Sequence, residues 1–400
     1  MLYSIPSSLD IKNAVFALNS EGASGPDGFG GCFYQEFWDV VGCDVCNSVS
    51  QIFRHGWILP NMNSNSIALI PKFPAADRIE DFRPIALANF QFKIITKVIA
   101  DRLAIIAPKI ISTQQRGFIK GRQIHDCICI ASEAVNLLDH KTFGGNLALK
   151  LDVRRVFDTI DWKFLLSTLQ AFGFSDSFRN WIEAILKSAK LSVNVNGGHV
   201  GFFACKRGVR QGDPLSPLLF CIAEDVLSRG ISMLTQNGNL YAFVGPRIHV
   251  PSHVFYADDI MIFCKGLKKD IQSLKTLFSD YASASGQTLN LSQCKFYTSS
   301  SSHRTIANLI SWLGFSAGQL PFTYLGVPLF RGKPRKIHLQ PIADKIISKL
   351  KTWKGSYFSI MGRVQLVKSI IHSMMIYSFH VYSWPISLLK RLDTCIRNFV

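Results

Sequence analysis

The sequence predicts a folded chain in which helices and strands are mixed. Of its 400 residues, 48% are hydrophobic and 18% are charged, which is enough apolar surface for at least one sizeable core and for two or three packed lobes. Apolar residues recur at helical spacing over 90–111, as far as Pro108, and over 125–141 before a pair of glycines. Residues 66–72 and 255–263 have the short apolar pattern of strands.

The charge of the chain predicts a polyanionic partner. Lys and Arg outnumber Asp and Glu by 44 to 27, which gives a net charge of +17 and a pI near 9.5. Such an excess attracts either nucleic acid or an anionic membrane surface. No apolar signal segment begins at Met1, and the most apolar late stretch, 370–389, contains two histidines and Pro385. We therefore expect a packed helix there, no membrane partner, and a nuclear or cytoplasmic location.

The cysteines predict reduced thiols. Ten cysteines in a chain without a signal segment suggest mostly buried, unpaired side chains and no disulfide framework. Cys43 and Cys46 have the spacing of a zinc-ligand pair, but no second Cys or His pair accompanies them. Because a structural zinc site needs four ligands, the sequence disfavours zinc here.

The first candidate catalytic residue is Asp152. It follows an alternating apolar strand that begins at residue 146, and a helical pattern comes after it. A carboxylate at the end of a strand, beside a turn, is a common catalytic position. The same position also suits the N-cap of a helix. On this residue alone, the cap is the better interpretation.

The stretch FYADDIMIF, residues 255–263, places two adjacent carboxylates, Asp258 and Asp259, inside an apolar pattern. Neighbouring residues of a strand point to opposite faces, so a regular strand with one polar face cannot accommodate both. A hairpin with strands at 254–257 and 260–263 solves this problem and puts both aspartates at its tip. Two adjacent like charges repel unless a cation lies between them, and Mg²⁺ with oxygen ligands is the economical cation.

Together, Asp152, Asp258 and Asp259 supply the carboxylates that a two-metal phosphoryl-transfer site requires. In such a site one ion lowers the pKa of an attacking hydroxyl and the other neutralises the leaving pyrophosphate. The basic chain favours a version of this reaction that acts on nucleic acid.

Three blocks carry most of this chemistry: LKLDVRRVFDTIDW, GVRQGDPLSPLLFCIAEDVL and FYADD. The blocks IALIPK, QRGFIKGRQIHD and PFTYLGVPLF flank them. In this order and spacing they resemble the reverse transcriptase domain of LINE-type (non-LTR) retrotransposons, most closely those of plants. The resemblance implies an α+β right-hand polymerase, with fingers over 1–145, a palm with an antiparallel sheet and helices over 146–330, and the start of a thumb over 331–400.

The resemblance also implies the reaction. The domain is expected to extend a DNA primer with dNTPs on an RNA template. The resemblance identifies no protein partner. Two Mg²⁺ ions, with Mn²⁺ as a possible substitute, are expected at Asp152, Asp258 and Asp259.

Further residues match positions that surround the incoming nucleotide. The resemblance matches Gln211 and Gly212 to the block that lines the nucleotide. A glycine suits such a position, since it lets the backbone approach a sugar or base closely. Phe157 matches the aromatic position that lies under the sugar and excludes a 2′-hydroxyl, although the local pattern alone favours a core aromatic. Lys72 and Arg83 match positions that contact the triphosphate through charge-assisted hydrogen bonds, the alternative being ordinary solvated charges.

The block at 320–330 resembles the primer grip between palm and thumb, with Tyr324, Leu325 and Gly326 as its central residues. Ordinary packing in the core of a hairpin is the alternative role for these side chains.

The chain departs from the family pattern at several positions. It has Arg155 and Val156 where Lys-Ala is usual, and Arg116 where a small residue is common. It also has Gln293 where we align a lysine of the family. This change removes a candidate general acid for the pyrophosphate, unless Lys295 takes over that role. A decayed, inactive scaffold that binds RNA is therefore one alternative function. Another two-metal enzyme, such as a nuclease or cyclase, is the second, but it should lack the GDPLSP block. No endonuclease or Cys/His-rich segment flanks the chain, so we expect a truncated element.

Overall fold

The computed structural model describes residues 2–244, 250–299, 302–353 and 357–400. The structure confirms the α+β class. Its helices are α1 (Ser8–Ala17), α2 (Gly31–Glu36), α3 (Trp38–His55), α4 (Phe90–Ile110), α5 (Ile124–Leu137), α6 (Val156–Thr159), α7 (Trp162–Ala171), α8 (Asp176–Lys187), α9 (Ser216–Gln236), α10 (Lys268–Ser285), α11 (His303–Leu313), α12 (Lys336–Thr352), α13 (Ile360–Leu366), α14 (His372–Phe379) and α15 (Ile386–Phe399). Its strands are β1 (Ser64–Pro71), β2 (Phe82–Ala88), β3 (Asn146–Leu151), β4 (Lys190–Val195), β5 (Gly198–Ala204), β6 (His253–Tyr256), β7 (Asp259–Lys265), β8 (Lys295–Thr298), β9 (Phe322–Tyr324) and β10 (Val327–Leu329).

The chain forms two compact units, each built from three separate segments. The first unit contains Met1–Arg122, Val153–Met233 and Leu274–Asn290. The second unit contains Gln123–Asp152, Leu234–Ser273 and Leu291–Val400. The division into fingers, palm and thumb along the sequence stays a prediction.

The first unit contains a four-stranded sheet in the order β2-β1-β4-β5. Strand β1 pairs with β2 in antiparallel and with β4 in parallel orientation. Helix α4 supplies a long apolar face to this unit, with Phe92 and Leu103 fully buried. The interruption predicted at Pro108 is wrong, because α4 continues to Ile110. A proline in the last turn removes only one hydrogen bond before the helix ends, so its cost there is small.

The second unit contains an antiparallel sheet in the order β6-β7-β3-β8. Strands β3 and β7 lie at its centre, and their side chains are almost all buried. Helix α5 packs against β3 and β6 through an apolar stripe that includes Cys127, Ala131 and Ala134. These residues lie three to four apart and therefore on one helix face. The strand predicted to end in Asp152 is confirmed as β3 and ends one residue earlier, at Leu151, while α5 ends four residues earlier than predicted.

The late apolar stretch 370–389 is not one helix, which corrects the prediction. A π turn at Val367–Ile371 leads into α14, which ends at Phe379. The backbone at Pro385 is non-helical, and this residue precedes the first residue of α15. Proline disfavours helical geometry in the residue before it and so separates the two helices. Within the described residues, no helix has both the length and the apolar character needed to cross a membrane.

All ten cysteines are free, as predicted. The expectation that most are buried is wrong, since only Cys127, Cys221, Cys264 and Cys294 are buried. Cys43 and Cys46 lie on α3, and no metal-binding group of three or more His, Cys, Asp or Glu side chains includes them in the described part of the chain.

Candidate active site

Asp152 lies directly after the central strand β3, as predicted. Its backbone N–H donates to Sγ of Cys294 at 3.4 Å, and the Cys294 thiol donates to the Asp152 carbonyl oxygen at 3.8 Å. The next helix begins at Val156 with Arg155 as its N-cap, so Asp152 does not cap a helix. The structure therefore removes the alternative that competed with a catalytic role for this carboxylate.

The predicted hairpin is confirmed, but its turn lies one residue earlier than predicted, so Asp258 is in the turn and Asp259 is the first residue of β7. Strands β6 and β7 pair as far as Tyr256 and Asp259, so Ala257 and Asp258 form a two-residue turn. Ala257 has φ +51°, in the left-handed region that side-chain-bearing residues rarely adopt. Backbone strain of this kind is concentrated at functional sites, where the surrounding structure must hold it in place.

The pairing of β3 with β7 brings the aspartates together. Leu151 lies opposite Ile260, and the next positions in this antiparallel register are Asp152 and Asp259. Residues that lie opposite one another in a sheet project to the same face. Asp258 is exposed on the adjoining turn. The three carboxylates are thus gathered at one end of the sheet in the second unit.

Electrostatics show that the carboxylates interact. Burial is the main reason that the pKa of Asp259 is raised to about 6; the negative charges of Asp258 and Asp152 contribute to this rise, and the ammonium group of Lys150 opposes it. Three carboxylates are a suitable donor set for a hard divalent cation, which would relieve this repulsion. Across the described ranges, however, no group of three or more His, Cys, Asp or Glu side chains is already arranged to hold a metal ion. The donor chemistry fits a metal, but the site is not preformed as a coordination shell.

The raised pKa of Asp259 predicts a pH-dependent stability difference. Because its pKa lies above the ordinary value of 3.8, the folded state favours the protonated form, and stability is lost as pH rises from about 4 to about 6. In EDTA, Asp259→Asn should therefore raise the free energy of unfolding by about 1 to 3 kcal/mol at pH 7.5, and by much less below pH 4. Urea unfolding at both pH values measures this, with surface Asp393→Asn as the control.

The same measurement tests metal binding without an activity assay. Mg²⁺ that binds only the folded protein should stabilise the wild type more than Asp259→Asn. An equal gain in both proteins, or a mutant advantage that does not change with pH, would contradict the assignment of Asp259 to the acidic cluster.

The first unit contains the predicted nucleotide-lining residues Gln211 and Gly212. The Ala86 N–H of strand β2 donates to the Gln211 carbonyl oxygen at 2.9 Å. Gly212 has φ +109°, and a Cβ atom on it would lie 2.9 Å from the Ala86 carbonyl oxygen. Only glycine fits this close approach without strain. The loop before α9 is therefore held directly against β2.

Lys72 and Arg83 lie near one end of the β1–β2 hairpin, also in the first unit. Lys72 follows β1, and its Nζ donates to the Glu80 carbonyl oxygen at 2.6 Å. Arg83 is exposed on β2, opposite Ile70 of β1. Arg83 thus lies on β2 and Lys72 lies just after the neighbouring strand β1, in the sheet against which the Gln211 loop packs.

Phe157 lies on the short helix α6 and is half-buried. Its ring centroid is 5.0 Å from that of the fully buried Phe220, and its carbonyl oxygen accepts a hydrogen bond from the Val209 N–H at 2.6 Å. One part of the ring therefore packs in the core while another part remains accessible. This geometry is compatible with both the nucleotide role and the core role.

The predicted primer-grip residues form the hairpin β9–β10 in the second unit. Tyr324 pairs with Val327, so Leu325 and Gly326 form the turn, with φ values of +45° and +81°. Tyr324 is fully buried, as the core alternative expects. The ring of Phe322 stacks on Tyr297 of β8 with centroids 3.8 Å apart, which fixes the hairpin to the sheet that carries the aspartates.

Sequence reasoning missed Lys150. Its Nζ donates to the Thr323 carbonyl oxygen of β9 at 3.2 Å, and its charge acts on Asp259. Lys150 precedes Asp152 by two residues, and positions two apart in a strand share a face. A lysine at that spacing in an otherwise apolar strand was the available signal.

Comparison with known proteins identifies the class. Residues 70–329 match the family described as reverse transcriptase (RNA-dependent DNA polymerase). This match covers more than half of the sequence, so the chain belongs to the reverse transcriptase family. More particularly, it is a reverse transcriptase domain of the non-LTR retrotransposon kind, similar to those of the R2 and TX1 elements.

Two relatives match over most of the chain. The uncharacterized 149 kDa protein of transposon TX1 from Xenopus laevis is 26% identical over 99% of this chain and 30% of its own length. The Pol polyprotein of the type-2 retrotransposable element R2DM from Drosophila melanogaster is 26% identical over 83% of this chain and 31% of its own length. An uncharacterized mitochondrial protein of Arabidopsis thaliana is 39% identical over a 69-residue stretch, 16% of this chain and 54% of its own length. The chain thus spans less than a third of the two longer relatives.

Family membership agrees with the expected kinds of substrate and metal in general terms. A reverse transcriptase acts on an RNA template and a nucleic-acid primer, and the family generally uses divalent metals. The predicted roles of individual residues are not tested by these similarities.

Proposed function

We propose that this domain is an RNA-directed DNA polymerase that extends a DNA primer with dNTPs on an RNA template. In this reaction the primer 3′-hydroxyl oxygen forms a bond to the α-phosphorus of the dNTP, the bond from that phosphorus to the β-phosphate oxygen breaks, and pyrophosphate leaves. The observation that carries the proposal is the gathering of Asp152, Asp258 and Asp259 at one end of the second unit's sheet.

The three aspartates would hold two Mg²⁺ ions, which Mn²⁺ could replace. When bound, such ions lower the pKa of the attacking hydroxyl and neutralise the leaving pyrophosphate. The chain itself supplies the positioning: the register of β3 and β7 fixes Asp152 beside Asp259, and the β6–β7 turn presents Asp258 to solvent. Burial and, after it, the repulsion between the carboxylates raise the pKa of Asp259, and a bound cation would relieve this repulsion.

The resemblance carries the proposed nucleotide contacts. Lys72 and Arg83 are assigned to the triphosphate, for which their charges and donors are suited. Gln211 and Gly212 are assigned to the nucleotide, because they match the block that lines it in the family, and the contact of Gly212 with Ala86 holds that block against β2. Phe157 is assigned to selection against ribonucleotides by steric exclusion.

The substitution Phe157→Val tests this selection. If the ring lies under the sugar, the smaller side chain removes the obstacle to a 2′-hydroxyl, and the efficiency of ribonucleotide relative to deoxyribonucleotide incorporation should rise about 10-fold or more. Phe164→Val is the matched control, because Phe164 is also half-buried and packs on a buried ring, Tyr281, with centroids 5.8 Å apart. Primer extension with each nucleotide type, beside a melting curve, measures both effects.

If Phe157 is only a core side chain, both variants should behave alike. Each would lose about 2 to 4 kcal/mol of stability through a cavity, with no change in the incorporation ratio. That result would reject the selection role and leave the polymerase assignment intact.

The alternative is an inactive scaffold that binds RNA. Arg155 favours it, because this residue replaces the usual lysine. The survival of all three aspartates favours activity. Mg²⁺-dependent extension of a primer on RNA by the purified chain separates the two functions. The plant type of the element stays a prediction, because the relatives that cover most of the chain come from a frog and a fruit fly.

A further inference from the structure

The turn of the β9–β10 hairpin has an unusual sequence for its shape. A two-residue hairpin turn with two positive φ values normally uses Asn-Gly or Asp-Gly, because those residues tolerate the left-handed region. Here the pair is Leu325-Gly326, and Leu325 has φ +45°. Leucine has no side-chain polar group that could stabilise this conformation locally. The turn must therefore be held by contacts with the rest of the second unit.

Side chains from three different segments bind the carbonyl oxygens of this hairpin. Lys150 of β3 donates to the Thr323 carbonyl oxygen at 3.2 Å. Tyr382, which follows α14, donates to the Pro328 carbonyl oxygen at 2.7 Å. The hydroxyl of Tyr377 on α14 donates to the Leu325 carbonyl oxygen. Of these three contacts, only that of Tyr377 reaches the turn itself.

The surroundings of Tyr377 support a fixed geometry. Its ring centroid lies 5.7 Å from that of His125 on α5, and its Cε1 atom lies 3.5 Å from where a Cβ on Gly326 would be. Burial raises the pKa of Tyr377 to about 12, so the hydroxyl keeps its proton and can donate at neutral pH. Tyr382 has the same raised pKa, about 12, for the same main reason.

We propose that Tyr377 is a positioning residue: its hydroxyl fixes the Leu325–Gly326 turn and thereby couples helix α14 to the placement of the primer end. The inference rests on the proposed function, and it takes the assignment of the primer grip to this turn from the resemblance of residues 320–330 to that block. It adds that the hydrogen bond from Tyr377 on α14, and not the sequence of the turn itself, fixes the conformation of the Leu325–Gly326 turn. Tyr377 itself need not touch the primer.

The test compares two substitutions that each remove one hydroxyl. Tyr377→Phe removes the donor to the turn, and Tyr382→Phe removes a donor to the outer strand of the same hairpin. Both variants lose one hydrogen bond to a carbonyl group and keep their ring, so their melting temperatures should fall by similar small amounts. Only Tyr377→Phe should raise the KM for the primer-template, by about 3- to 10-fold, a shift typical for one positioning hydrogen bond.

A rescue experiment separates positioning from simple stability. Asparagine tolerates the left-handed conformation, so Leu325→Asn supplies locally what the hydroxyl of Tyr377 supplies from α14. On the Leu325→Asn background, Tyr377→Phe should therefore change the KM by less than about twofold. Equal KM changes for Tyr377→Phe and Tyr382→Phe, or no rescue by Leu325→Asn, would overturn the proposal.

Amide hydrogen exchange of the full chain gives a readout that does not depend on catalysis. Tyr377→Phe should speed exchange at Gly326 and Val327, whereas Tyr382→Phe should leave these amides unchanged. If the wild type extends no primer but this exchange pattern appears, the proposed polymerase function fails while the control of the turn by Tyr377 stands. Unchanged exchange in Tyr377→Phe would overturn the inference even in an active enzyme.

Discussion

Asp258→Asn should lower the rate of primer extension by at least about 10³-fold while leaving affinity for the RNA template within about twofold. The substitution keeps the size of the side chain and removes the negative charge that would bind Mg²⁺. Asp258 is exposed in the β6–β7 turn, so little packing is lost. The excess of 17 positive charges, which supplies the general attraction to nucleic acid, increases by only one.

The control for this prediction is Asp393→Asn, which makes the same chemical change on α15. Asp393 forms a surface ion pair with Arg397 at 2.7 Å, a type of interaction that contributes little to stability. Extension rates under saturating dNTP and template affinities should be measured for both variants. An Asp258→Asn enzyme with near wild-type extension would contradict the assignment of Asp258 to the metal site.

Gly212→Ala should lower both stability and activity. The added Cβ would lie 2.9 Å from the Ala86 carbonyl oxygen, and the φ of +109° is a strained value for alanine. Backbone strain of this kind costs about 1 to 3 kcal/mol, and the clash adds to it unless the loop moves away from β2. Because a displacement of about 1 Å at a substrate-positioning residue can cost about 100-fold in rate, we expect a loss of that order in extension.

Gly197→Ala is the matched control for Gly212→Ala. Gly197 also has a positive φ, +83°, but a Cβ atom there would meet nothing within 4 Å. This variant should lose about 1 to 2 kcal/mol through the left-handed backbone alone and keep its specific activity. Comparable activity losses in the two variants would show that general destabilisation, and not the close approach to Ala86, explains the effect.

The sequence predicted the local features of the site because those depend on nearest neighbours. The alternation of side chains in a strand required a hairpin near Asp258 and Asp259, and the structure contains one, with its turn at Ala257 and Asp258 and not at the two aspartates. The strand predicted from the same alternation to end in Asp152 is β3, which ends one residue earlier, at Leu151. What the pattern could not give is that Asp152 and Asp259, more than 100 residues apart, lie next to each other, because strand register is a long-range property.

The features that sequence reasoning missed are contacts between distant segments. Lys150 and Tyr377 both bind carbonyl oxygens of the β9–β10 hairpin, and neither belongs to a motif that names a backbone partner. The stretch 370–389 was wrongly predicted as one helix. Its residues do form helices on both sides of Pro385, but this proline separates α14 from α15. The resemblance to a family predicted the reaction and the residues of the site. It could not predict the tertiary contacts, such as those of Lys150 and Tyr377, that hold the β9–β10 hairpin in place.

The most direct test of the central claim is primer extension by the purified chain on an RNA template with dNTPs and Mg²⁺, run beside Asp152→Asn. We expect DNA products that require the RNA template, disappear in EDTA and are absent with the variant. Template binding without any extension by the wild-type chain, under conditions in which Mg²⁺ and Mn²⁺ are each supplied, would contradict the polymerase assignment and favour the scaffold.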